Sequence, residues 1–204
     1  SSAASDVYKR QMYHTVKAVK TSKNIPITVV PIMGAANVRT PERDSLDLSK
    51  ELAYAYGGTY HYIYAPLFVN SEEVRDSLEQ EPNIKGCLEL ARNADIVLTS
   101  VGSIVYKSWK SYLSTRDLYN LEKKGAIGHI GGHFYDMEGN EVITPFVNKM
   151  IGLGIEDIKN TENVICVAGL EMKAEAILGA VRGGYINTLI TDEEAAKAVL
   201  ALCK

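Results

Sequence analysis

Val164–Val181 reads "VICVAGLEMKAEAILGAV", and this stretch decides the fold. An apolar run of strand length, Val164–Val167, gives way to an alanine-glycine turn and then to a helix with apolar residues at helical spacing. Lys173 falls in the first turn of that helix, where the macrodipole is positive, so a cation there is disfavoured by roughly 0.3–1 kcal/mol. Two readings of it stand open. It is a solvated lysine balanced by Glu171 or Glu175, or it joins the helix N–H groups in holding an anion, of which phosphate is the obvious one.

The same alternation extends in both directions. Downstream, "NTLIT" at 187–191 reads as a strand and "DEEAAKAVLALC" at 192–203 as a helix, with Thr191 as its N-cap and Glu194 completing a capping box. Upstream, helix-spaced or capped segments at 12–23, 44–58, 71–82, 82–94 and 114–125 alternate with strand-like runs at 26–34, 59–67 and 95–103. "AIGHIGGHFYDMEGN" at 126–140 departs from the alternation as a glycine-rich strand with a hairpin at Glu138–Asn140. Short strands alternating with helices imply an α/β fold, a parallel sheet with helices on both faces.

In such sheets ligands bind beyond the carboxyl ends of the strands. That rule selects Met33 and Gly34, Val101–Ser103, Gly169–Lys173, and Thr191 with Asp192. Gly102 and Ser103 offer backbone N–H groups and a hydroxyl, while Lys110, beside Lys107 and Trp109 in "YKSWKSY", offers a second anion anchor. His129 and His133, four residues apart on a presumed single strand, would share a face. Neither a nearby cysteine nor a helical H-E-x-x-H pattern accompanies them, so a metal is not expected and hydrogen bonding to a polyhydroxy ligand is the better use. The chain has no G-x-S-x-G, no Walker A and no G-x-G-x-x-G after a strand, so neither a nucleophile nor a cofactor is expected.

Composition bounds the rest. The chain has 204 residues, 46% hydrophobic and 23% charged, with a net charge of −3. That balance fits an ordinary globular domain with a sizeable core, and the acidic sign argues against this chain being a nucleic-acid surface by itself. No apolar run is long enough to span a bilayer. Three widely spaced cysteines, Cys87, Cys166 and Cys203, argue against a disulfide framework and for a reducing cytoplasm. Residues 1–11, "SSAASDVYKRQ", lack apolar periodicity and read as a non-native or disordered leader, leaving 12–204 as one domain.

The segments "VVPIMG", "GTYHYIYAPL", "ADIVLTSVGS", "LEKKGAIGHIGGHFYDMEGN" and "VICVAGLEMKAEAILGAVRGGYINTLITDEEAAKAVL" follow one another in the order and spacing of a known family. Over residues 12–204 the chain resembles the sugar-binding effector domain of SorC-type bacterial transcription regulators. The resemblance implies a Rossmann-like fold related to glucosamine-6-phosphate deaminase and ribose-5-phosphate isomerase, without catalysis. It further implies a phosphorylated-sugar effector, a homo-oligomer, and operator DNA read through a helix-turn-helix domain that is absent from this sequence. It places Lys173 at the family's phosphate lysine, Gly169 at its turn, and Gly102 and Ser103 at the glycine turn after "IVL". Lys110 falls near a basic position for a second phosphate group. Met33 stands where some members have a ligand-contacting arginine, His129 where members have an acid facing the sugar, and His133 at a common arginine. The family's first strand and its phosphate loop would precede Met12, so the chain reads as an N-terminally truncated domain. An isomerase or deaminase using Asp192, Glu193 or the histidines as a general base is the alternative.

Overall fold

The computed structural model describes residues 3–21, 24–35, 45–106, 109 and 112–203. Contacts gather the chain into two compact units. The larger comprises Ser1–Gln11, Asp95–Thr144 and Gly154–Lys204, and the smaller Met12–Ala94 and Pro145–Leu153. Helix α1 spans Ala3–Ala18.

In the smaller unit, β1 (Thr28–Val29) pairs in parallel with β2 (Thr59–Tyr60), and α2 (Ser45–Tyr56) connects them. Gly57 stops α2 with a left-handed φ of 70°, the conformation glycine adopts without cost. Helix α3 (Glu72–Glu79) starts where the Ser71 hydroxyl accepts the Val74 N–H, and α4 (Pro82–Arg92) starts on a proline, whose missing N–H costs nothing at a first turn. Ile63, Ala65, Ile84, Cys87, Leu88 and Ile151 form its core.

The larger unit holds residues 164–181. Strand β3 (Ile96–Thr99) lies parallel to β7 (Asn163–Val167), and β7 is parallel to β8 (Thr188–Ile190), giving the order β3-β7-β8 with β7 central. Val164 and Cys166 alternate inward on β7 and are buried. Helix α7 (Ala174–Arg182) carries small buried residues, Ala174, Ala176 and Ala180, which allow close packing, and Tyr135 fixes it by donating its hydroxyl to the Ala176 carbonyl at 2.8 Å. Helix α8 (Glu193–Leu202) packs beside α7. Helices α5 (Thr115–Lys123) and α6 (Ile155–Lys159) complete the unit, and α5 opens on a Ser114–Asp117 capping box.

The glycine-rich stretch forms an antiparallel sheet, β4 (Gly102–Ser103), β5 (Gly128–Ile130) and β6 (His133–Tyr135). Three readings of the sequence are corrected here. Gly131 and Gly132 both have positive φ, 55° and 94°, and make a two-residue hairpin turn ahead of the one at Glu138–Asn140. His129 and His133 therefore sit on successive strands and do not share one strand face. The second turn also exists: the Asp136 carboxylate accepts the N–H groups of Glu138 and Asn140, and Gly139 has φ 85°. Gly102–Ser103, expected as a turn, is a short strand because it pairs with Gly128 and His129. The cap of α8 is Asp192, which accepts the Ala195 N–H at 2.8 Å. With the cap one residue later than Thr191, Glu194 is no longer at the third helical position and no capping box forms. Among the described residues no helix is long and apolar enough to cross a membrane.

Candidate functional site

Three chain segments leave the β3-β7-β8 sheet at its carboxyl edge: those after β3 and β7 meet at Lys173, and the one after β8 reaches Leu170. After β7 comes Ala168–Gly169, then Leu170 with φ 80° and ψ 130°, then a 3-10 turn, Glu171–Lys173, closed by the Lys173 N–H donating to the Leu170 carbonyl at 2.9 Å. Helix α7 begins immediately afterwards with Lys173 as its N-cap, so the lysine precedes the first turn and does not lie within it. A leucine held at such a φ costs of order 1–3 kcal/mol, strain of the kind that persists where surrounding contacts over-determine it.

Lys173 is only 2% exposed. Its ammonium donates to the Val101 carbonyl at 2.9 Å and to Gln11 Oε1 at 2.7 Å, both uncharged acceptors. The reading of a solvated lysine balanced by a neighbouring glutamate is thereby overturned. Burial pushes the amine down from its ordinary value to about 8, the Cys166 thiol beside it acting weakly the other way. A displacement of that size corresponds to on the order of 3 kcal/mol of unfavourable charge burial, which an anion would offset. Cys166, fully buried on β7, has its own thiol pushed up to about 11 by desolvation.

Gln11 is a contributor that the sequence did not reveal. Its amide donates to the Gly169 carbonyl at 3.4 Å, while its oxygen takes Lys173 and lies 3.5 Å from the Ser100 hydroxyl. Ser100 and Val101, both fully buried after β3, supply the floor. Asp192, at the end of β8, supplies the side: one carboxylate oxygen accepts the Leu170 N–H at 2.7 Å and the other caps α8. These hydrogen bonds, led by those from Ala195 and Leu170, hold its carboxyl below the usual carboxylate range.

His129 is 3% exposed and stacks against aromatic neighbours, edge-on to Trp109 with centroids 5.2 Å apart and tilted to Phe134 at 5.6 Å. Burial first, and the charge of Lys173 second, push the imidazole down to about 3, so it is neutral across the physiological range, with one donor and one acceptor. Gly102, its cross-strand partner, has no room for a side chain because a Cβ would run into the His129 ring. The Ser103 hydroxyl is buried and accepts the Val105 N–H at 3.4 Å. His133 Nδ1 meets Glu141 Oε1 at 2.8 Å.

The larger unit thus gathers Lys173, Gly169, Gly102, Ser103 and His129. Met33 and Gly34 belong to the smaller unit: Met33 bridges to Gly152, and Gly34 donates its N–H to the Ile151 carbonyl at 2.9 Å. The absence of a side chain at Gly34 is explained by packing, since a Cβ would lie 2.6 Å from the Pro66 carbonyl oxygen. Lys110 lies outside the described residues.

Comparison with known proteins agrees with this architecture. Residues 10–201 match the family model described as "Putative sugar-binding domain". The transcriptional regulator LsrR of Escherichia coli K12 is 35% identical over 144 residues, 68% of this chain and 45% of that protein. The E. coli K12 protein described as "Uncharacterized transcriptional regulator YjhU" is 28% identical over 185 residues, 89% of this chain and 56% of that one. The chain spans about half the length of these curated relatives. The full-length sorbitol operon regulator SorC from Klebsiella pneumoniae superposes with a TM-score of 0.89 at 24% identity, covering 95% of this chain and 64% of that one. From the matched length and the shared fold, the chain belongs to the sugar-binding domain family of SorC-type transcription regulators.

Proposed function

We propose that this domain senses a phosphorylated sugar at the carboxyl edge of β3, β7 and β8, and passes occupancy to a DNA-reading domain of a larger, homo-oligomeric regulator working in the cytoplasm. The observation that carries the reading is the buried ammonium of Lys173, held by neutral acceptors where helix α7 begins. A phosphate seated there would meet a full positive charge together with the positive end of the helix. Gly169, Gly102 and Ser103 would lie along the ligand's seat, and neutral His129 would read sugar hydroxyls with one donor and one acceptor. Sensing is favoured over turnover because both oxygens of Asp192, the first candidate general base, are already engaged by backbone N–H groups. Occupancy acts by favouring whichever of two arrangements of the protein binds the ligand more tightly.

Calorimetry across a panel of sugar phosphates tests this. At least one should bind the wild-type domain, and Lys173→Ala should weaken it by about 1.5–3 kcal/mol, the worth of a charge-assisted bond. Equal affinity in the variant removes Lys173 from the role, and turnover of the panel replaces sensing with catalysis.

A further inference from the structure

The Gly169–Lys173 turn needs something to hold it. Leu170 is the non-glycine residue with positive φ among the described residues, and its side chain is 39% exposed, so burial does not pin it. What does reach it is Asp192, whose Oδ2 accepts the Leu170 N–H at 2.7 Å from the end of the neighbouring strand, twenty-two residues on. Gly169 makes that reach possible, because a Cβ there would collide with the same carboxylate oxygen. Leu170 in turn closes the 3-10 turn through its carbonyl to the Lys173 N–H, and the turn aims the Lys173 amine at the Val101 carbonyl.

We propose that Asp192 is a positioning residue for the anion site: its carboxylate straps Leu170 in the left-handed conformation and so turns Lys173 into the buried edge of the sheet. The inference rests on the reading of Lys173 as the phosphate anchor. A plain N-cap would use one oxygen, and here the second oxygen serves a different segment. Asp192→Asn separates the two duties. Asparagine caps helices as well as aspartate does, but its amide nitrogen would face the Leu170 N–H donor to donor.

The deciding measurement needs no ligand: a ¹³C NMR titration of the Lys173 side chain in lysine-labelled protein. The wild-type amine should titrate near 8. In Asp192→Asn the midpoint should rise by about one unit or more as the amine regains solvent. Gly169→Ala, which displaces the carboxylate without touching Asp192, should do the same and serves if the first variant fails to fold. Adding Leu170→Gly to Asp192→Asn should return the midpoint towards 8, because glycine adopts the conformation unaided. An unchanged midpoint in both single variants, or no return in the double variant, overturns the proposal. Ribose 5-phosphate binding is the second readout. If the wild type binds it, Asp192→Asn should lose about tenfold, and equal affinity overturns the strap. If the wild type binds no sugar phosphate, the phosphate-anchor reading fails while the amine titration still decides whether Asp192 positions Lys173.

Discussion

The ammonium of Lys173 lies 2.9 Å from the carbonyl oxygen of Val101, seventy-two residues earlier in the chain. That contact ties the loop after β3 to the start of α7 and holds a cation out of solvent. It gives the domain a pH signature.

Lys173 is a cation whose folded value, about 8, lies below its unfolded value of 10.5. Between those two values the unfolded chain binds more protons than the folded one, so stability rises with pH across the window from about 8 to 10.5. Urea unfolding at a series of pH values should show a rise of up to about 3 kcal/mol from this group. Lys173→Met should flatten that slope, and an identical slope in the variant would place the charge burial elsewhere.

Phosphate binding should take up protons near the midpoint of the empty site. At pH 8 the Lys173 amine of the unliganded domain is about half protonated, while a bound dianion favours the charged form, so roughly half a proton enters per ligand. Calorimetry in two buffers of different ionisation enthalpy reads this directly. His129, neutral above its value of about 3, should add nothing between pH 5 and 8.

Gly102→Ala should destabilise the larger unit, since its Cβ would enter the His129 ring, which is itself packed on Trp109 and Phe134. Overpacking of this kind costs about 1–3 kcal/mol. Thermal unfolding of the variant should show it, and Gly86→Ala, where a Cβ meets nothing within 4 Å, should show no such loss.

Tyr135→Phe removes the hydroxyl that holds the Ala176 carbonyl in the core. A loss of about 1–2 kcal/mol is expected from the buried acceptor left without that donor. Denaturant melts of the two proteins compare it.

The order of elements was legible because local chemistry announced it. Ser71 and Ser114 cap the helices they precede, and Pro82 starts α4. The strand, turn and helix order of residues 163–182 was legible because the apolar run and the glycine sit next to each other, although α7 begins only at Ala174, after a 3-10 turn. Pairing was harder to see. Nothing in "SVGS" says that Gly102 opposes His129, since that partner strand returns only after helix α5 has intervened in the chain. Asp192, rather than Thr191, caps α8 with one oxygen while its other oxygen takes the Leu170 N–H, a contact twenty-two residues away that no local capping rule contains. The burial of Lys173 was invisible for the same reason: Val101 and Gln11 enclose it from distant parts of the chain.

Cys166 has a practical consequence. It sits beneath Lys173 on the central strand, wholly enclosed and with its thiol pushed up to about 11, whereas Cys203 at the end of α8 is exposed. An alkylating reagent at neutral pH therefore meets Cys203 at once and Cys166 only when β7 comes open. The native chain thus carries its own clock for the opening of the central strand, and any effector seated above that strand would slow it.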